Sequence, residues 1–338
     1  MMMRQKSVLY VLGVLLTAGW ALTAPGQASN TGAITYLETT VPRQIDLAPQ
    51  LWEGDQQPHT LSVVEMNRGG FKYWGWYGLN AGRGMGLARS NDLLHWTKYE
   101  QNPLWTNARW PTVLKGADPK HPNRLYFAIT RNYDTVKQFP QPGQNSNAKV
   151  MGSYIVLAES NDGIHLKETK VLVKPAIDLR NQNPDLFHDP KSGFFYLTFY
   201  RGNDIDSFDI VSKHAARIAD LDKAPERVLM HAADTLAAPD LFYVAHAGPQ
   251  NQGIYYLATE IDLNRYGAPS REEWQTAVFA SESPDGDFKP VAGNPVFKND
   301  RACLFQHELD GKYYGFMSHL DHITEQWVME EVEAPLPK

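Results

Sequence analysis

One phrase recurs five times, and it limits what this chain can fold into more than any other feature. Its fullest copy is Asn183-Pro-Asp-Leu-Phe-His-Asp189 followed by Phe194-Phe-Tyr-Leu-Thr-Phe-Tyr200: a strand, a tight turn and an aromatic strand returning. Asp189-Pro190 and Ser192-Gly193 supply the turn chemistry, and the Phe/Tyr/Thr run supplies strand propensity. Gln57-Pro-His-Thr-Leu61 leads in the same way to Phe71-Lys-Tyr-Trp74, and Trp110-Pro-Thr-Val-Leu114 to Arg124-Leu-Tyr-Phe127. Ala238-Pro-Asp-Leu-Phe242 leads to Gly253-Ile-Tyr-Tyr-Leu257. Arg301-Ala-Cys-Leu-Phe305, where Ala302 stands in for the proline, leads to Lys312-Tyr-Tyr-Gly315. The copies follow one another at roughly fifty to seventy residues, the spacing of a propeller, solenoid or array.

A third strand and a polar turn follow the hairpins. Asn91-Asp-Leu-Leu-His-Trp96, Asn161-Asp-Gly-Ile-His-Leu166 and Ser283-Pro-Asp-Gly-Asp-Phe288 are versions of one turn, and Asp-Gly between strands is a strong turn signal. Short fourth strands are expected at 170–173, 227–230 and 290–292. The fifth unit has a third strand at 326–330 and no fourth, whereas the lead-in has a spare strand at 34–37. Helical periodicity is confined to about 270–274. The expected fold is all-β, a five-bladed β-propeller occupying 29–338 as a single domain. A strand at 34–37 or its neighbourhood would complete the last blade and remove an open edge. The polar insertion at 134–149 reads as a functional loop on the rim.

The chain has 338 residues, 43% hydrophobic and 12% aromatic, enough for a large core. A net charge of −6 argues against nucleic acid as a partner. Arg4 and Lys6, an apolar run at 7–24 and the small residues Gly26-Gln-Ala28 have the layout of a secretory signal peptide over 1–28. The expected location is therefore secreted or periplasmic, with no membrane association once the leader is removed. One cysteine, Cys303, excludes an internal disulfide and reads as a buried apolar filler.

In a propeller the first strand of each blade lines the axis. Strand alternation then places Asp55, Gln57 and His59 on one face with Trp110 and Thr112, Asn183 and Asp185, Ala238 and Asp240, and Arg301 and Cys303. Arg109 is adjacent. The ends of the second strands add Asn132, Arg201, Asn203, Asp204, Glu260, His319, Asp321 and His322. Several carboxylates among amides, arginines and tryptophans suit the cleavage of a glycosidic bond, which needs one carboxyl as acid and another as base or nucleophile. Asp55 is the candidate base or nucleophile, Asp185 the group that tunes it, and Asp240 or Glu260 the acid. His59, Arg109, Trp110, Asn183, Arg201, Arg301 and His319 are candidate contacts to a carbohydrate substrate. The competing reading is that an Asp after a strand-start proline satisfies nearby backbone groups. His319 and His322 lack a defined third ligand, so no metal is expected, and no cofactor.

The hairpins, Asn183-Pro-Asp-Leu-Phe-His-Asp189, Gly86-Leu-Ala-Arg-Ser-Asn-Asp-Leu-Leu-His-Trp96 and Ser283-Pro-Asp-Gly-Asp-Phe288 resemble the five-bladed propeller glycosidases: glycoside hydrolase family 43 and relatives such as families 32, 68, 117 and 130. The resemblance covers about residues 50–335 of the chain. It implies a base or nucleophile Asp on blade one, an orienting Asp on blade two and an acid Glu on blade three, with the Asp commonly just before the strand-one proline. Here that slot holds Gln57, Trp110 and Asn183, and Arg109-Trp-Pro111 stands where Arg-Asp-Pro is expected. Either the carboxylates have moved, or the chemistry differs, or the protein is a non-catalytic glycan-binding propeller.

Overall fold

The computed structural model describes residues 41–79, 84–132, 153–175, 179–202, 208–232, 235–245, 247, 252–262 and 274–335. The expected leader at 1–28, the strand expected at 34–37, the insertion at 134–149 and residues 270–273 of the expected helical turn lie outside them.

The repeated phrase becomes five antiparallel meanders. After β1 (Arg43–Gln44), blade one is β2 (Pro58–Arg68), β3 (Phe71–Leu79), β4 (Gly84–Ser90) and β5 (Trp96–Lys98), with β6 (Trp105–Thr106) also on β4. Blade two is β7 (Ala108–Lys115), β8 (Leu125–Asn132), β9 (Ser153–Ser160) and β10 (Lys167–Val173). Blade three is β11 (Arg180–His188), β12 (Phe195–Gly202), β13 (Phe208–Ala215) and β14 (Arg227–Ala232). Blade four is β15 (Thr235–Val244), β16 (Ile254–Asp262), β17 (Trp274–Ser281) and β18 (Lys289–Pro290). Blade five is β19 (Arg301–Leu309), β20 (Lys312–Asp321) and β21 (Gln326–Pro335), and its fourth strand is β1, which pairs Arg43 with Glu331 and Gln44 with Glu330. The closing strand thus comes from the lead-in, at Arg43–Gln44.

Aromatic and branched side chains fill the seams between blades. Trp74 and Trp76 pack with Phe127 and Tyr154 between blades one and two. Leu157 packs with Phe199 between two and three, Tyr200 with Leu257 between three and four, and Tyr256 with Met317 between four and five. The seam of Tyr77, Trp96, Phe316 and Met329 joins blade five back to blade one and closes the ring. The lead-in is anchored beside it by Glu53, which is fully buried, bonds Lys98 Nζ at 2.7 Å and accepts the Tyr77 hydroxyl at 2.7 Å.

A belt of hydrogen bonds runs around the axis. In each link a side chain on one strand one accepts a backbone N–H from the next. Ser62 Oγ accepts from Val113 at 3.1 Å, Thr112 Oγ1 from Leu186 at 3.2 Å, and Asp185 Oδ2 from Leu241 at 3.0 Å. Asp240 Oδ2 accepts from Gln306 at 3.1 Å. Phe305, next in register, has no acceptor, so His307 Nε2 takes the Val63 N–H at 3.2 Å and completes the circle. The belt aligns Ser62 with Thr112, Asp185 and Asp240, and therefore aligns Thr60, three residues beyond Gln57, with Trp110, Asn183, Ala238 and Cys303.

Candidate functional site at the axial mouth

Just before the belt, strand one is irregular in blades two to five. Two residues oppose one on strand two: the register jumps from Arg109 to Thr112, from Gln182 to Asp185, from Ala237 to Asp240 and from Ala302 to Phe305. The first bulged residue is left-handed each time: Trp110 at φ 50°, Asn183 at 49°, Ala238 at 44° and Cys303 at 54°. Non-glycine residues in this region cost on the order of 1 kcal/mol each and concentrate at functional sites. Blade one pairs Thr60, Leu61 and Ser62 with Gly78, Tyr77 and Trp76 in regular register; its own shift comes earlier, between Pro58 and Thr60, at His59. Gly78 is required there, because a Cβ on it would lie 2.5 Å from the Trp110 backbone nitrogen.

The bulge breaks the alternation from which one common face was read, and the belt divides the predicted carboxylates. Asp185 and Asp240 are belt acceptors, and both line a cavity of about 270 Å³ beyond the belt with Gln306, His307 and Tyr243. Burial pushes Asp185 up to about 7. Asp240 is also pushed well up, by burial first and then by the charge of Asp185, while Gln306 opposes this with its backbone N–H and its Nε2 at 3.0 Å. Asp55 does not join them. It is exposed and lines a separate pocket of about 670 Å³ with Gln57, Lys98 and Trp327, beside the blade-five to blade-one seam.

The mouth, on the strand-start side of the belt, assembles a different set. Glu260 on β16 pairs with Ala237 and is 8% exposed. The Cys303 thiol donates to Glu260 Oε2 at 2.9 Å and lies 3.3 Å from His59 Nε2. Burial, and then Glu260, push the thiol well up. Burial and the Arg109 charge push His59 down to about 4, so the imidazole is neutral. Trp327 sets its ring edge-on to His59 at 4.9 Å, and the Ser318 hydroxyl donates to the His59 carbonyl. Arg109 stacks over Trp110, 3.9 Å from the ring centroid, with Asn183 buried at the equivalent position of blade three.

Other predicted contacts are engaged at the rim. Arg201 binds Asn181 Oδ1 at 2.9 Å and Glu226 at 2.8 Å. Arg301 grips Glu330 at 2.6 and 3.1 Å, and His319 Nδ1 sits 2.9 Å from the same carboxylate. His322 pairs with Asp300, and Asp321 caps its own turn through Ile323 and Thr324. Asn203, Asp204 and the Asn132 side chain lie outside the described residues. Cys303, expected as an apolar filler, is buried but polar in its contacts. The phrase aligns Arg301, not Cys303, with Trp110 and Asn183, so the available signal was only its place on an axial strand; the bulge of blade five moves the equivalent position two residues on. Trp327 and Glu330 carried none, because their roles arise from the closing blade.

No protein-family model matches the chain, and no curated protein sequence matches it. Solved structures do. A thermostable family-43 glycoside hydrolase superposes with a TM-score of 0.59 at 14% identity, covering 84% of this chain and 96% of that one. An endo-arabinanase of Bacillus licheniformis gives 0.55 at 14% identity over 86% and 96% of the two chains. An N-acetylgalactosamine deacetylase from F. plautii, solved with blood group B trisaccharide, gives 0.59 at 14% identity over 87% and 94%. The chain has the fold of the propeller glycosidases.

Proposed function

We propose that this chain is a hydrolase acting on an oligo- or polysaccharide bound at the axial mouth, with Glu260 the carboxyl group at which the reaction is centred. The observation that carries this reading is the contact of Glu260 with Cys303 on an axial strand, in a cluster completed by His59 and flanked by Arg109 and Trp110. An indole and a guanidinium offer a sugar an apolar face and fixed donors, and a nearly buried carboxyl can exchange a proton with a glycosidic or acyl oxygen. The same fold in glycoside hydrolases and in a deacetylase solved with a trisaccharide supports a carbohydrate substrate. The signal-peptide layout of residues 1–28 supports work in the periplasm or the exterior.

Glu260→Gln is expected to leave the fold and sugar binding in place and to lower turnover by about a hundredfold or more, the scale of a lost acid–base group. Reducing-sugar and acetate release from a panel of polysaccharides, wild type beside variant, tests this, and full activity in the variant removes Glu260 from the reaction. A specific observation favours a second reading, a non-catalytic glycan-binding propeller: the axial slots hold Thr60, Trp110 and Asn183, none a carboxylate. A folded wild type that binds glycans and turns none over selects it.

A further inference from the structure

We propose that His59, Glu260 and Cys303 form a binding site for one soft divalent transition-metal ion, zinc foremost, with a coordination position left open toward the mouth. The three residues come from β2, β16 and β19, in blades one, four and five, so only the closed ring brings them together. One ligand atom from each lies within 4.8 Å of the others. Around a tetrahedral zinc with bonds of about 2.0–2.3 Å, neighbouring ligand atoms are about 3.3–3.7 Å apart. Cys303 Sγ stands 2.9 Å from Glu260 Oε2 and 3.3 Å from His59 Nε2, so the two edges at the thiol lie within about half an ångström of that spacing, and the third is no longer than 4.8 Å.

The donor set decides which ion. A thiolate and an imidazole favour zinc and its neighbours, whereas calcium and magnesium take oxygen ligands. Charge balance also fits. Metal binding displaces the Cys303 proton to solvent, and thiolate plus carboxylate then neutralise the dication. That matters because the positive charge of Arg109 acts directly on His59, and an uncompensated cation would be repelled. Three protein ligands and an open fourth position are the arrangement of catalytic rather than structural zinc. Its bound water, acidified to a pKa of about 7, would supply the nucleophile that Thr60, Trp110 and Asn183 do not. With the ion bound, Glu260 serves the reaction as a ligand and no longer as the group that exchanges the proton, a revision that rests on the hydrolase reading, yet metal uptake is measured with no sugar present. A site that binds zinc in a protein without turnover leaves this proposal standing and the hydrolase reading failed.

The full mature chain is stripped with a chelator, dialysed against zinc or calcium, and its metal content and competition with a chromophoric chelator are measured. One zinc per chain is expected, undisturbed by excess calcium. Cys303→Ala and His59→Ala are expected to weaken zinc by more than about a hundredfold, since even outer-shell changes cost ten- to a hundredfold. Asp55→Asn, in the other pocket, should change nothing. Cobalt substituted into the wild type should show thiolate-to-metal charge transfer, a readout that needs no variant to fold. No stoichiometric uptake of zinc, undiminished uptake in both ligand variants, or a cobalt spectrum without the thiolate band overturns the proposal.

Discussion

A carboxylate that accepts a backbone N–H in a water-poor seam faces opposing demands: the hydrogen bond favours its charged form and burial disfavours it. At Asp185 burial prevails, and the group is pushed up to about 7. The unfolded carboxyl titrates near 4. Its contribution to stability is therefore whole below about pH 4 and is lost as the pH rises through 7. Asp185→Asn keeps a carbonyl acceptor for Leu241 and never ionises. Relative to wild type, the variant should gain roughly 2–4 kcal/mol on going from pH 4 to pH 8, read by chemical denaturation at the two pH values. A difference that does not move with pH would refute the assignment. Because Asp185 lines the cavity beyond the belt, the same variant should keep whatever turnover the wild type has.

At the scale of elements, β1 is two residues long and still completes a blade. Its hold comes from Arg43, which binds the fully buried Glu331 at 2.9 Å through both Nε and an Nη. Burial raises the Glu331 carboxyl, and Arg43 opposes this. Arg43→Ala should cost about 2–4 kcal/mol, mostly the penalty of a carboxylate left buried without its partner. Adding Glu331→Gln should recover much of it. A double variant that melts no higher than the single one would place the loss elsewhere, in the strand pairing itself. The bulges are the second recurrent device at this scale. Four left-handed non-glycine residues at one register show strain kept where the axis opens.

For the whole molecule, ring closure is the decisive contact, and its belt link differs from the rest. The other acceptors are hydroxyls and carboxylates; the fifth is the imidazole of His307, held neutral with its value pushed down to about 4 by burial. The unfolded imidazole titrates near 6.5. This link is therefore whole above about pH 6.5 and lost as the pH falls through 4, the reverse of Asp185. His307→Gln, whose amide oxygen can accept the same N–H, should flatten the acid side of the stability profile by roughly 2–3 kcal/mol between pH 7 and pH 4. Thermal melting across that range checks it, and an unchanged acid slope would remove His307 from the closure.

The meanders, their order and most blade boundaries were legible in the sequence, because strand alternation, turn chemistry and aromatic runs are local properties repeated five times. The spare strand of the lead-in was legible as a need, but its place at Arg43–Gln44 was set by the partner strand and the buried Glu331. The candidate site was less legible. Residues 110, 183 and 238 could be aligned from the phrase, but a bulge shifts which side chains share a face, blade one runs three residues out of step with its proline, and blade five runs two residues out of step with Ala302, so that Cys303 and not Arg301 takes the equivalent place. Only the closed ring could show that Asp185 and Asp240 bond the neighbouring blade whereas Glu260, His59 and Cys303 meet at the mouth. Those contacts join residues from separate blades, some more than two hundred positions apart, and a hydrogen bond across a seam leaves no mark in the sequence on either side of it.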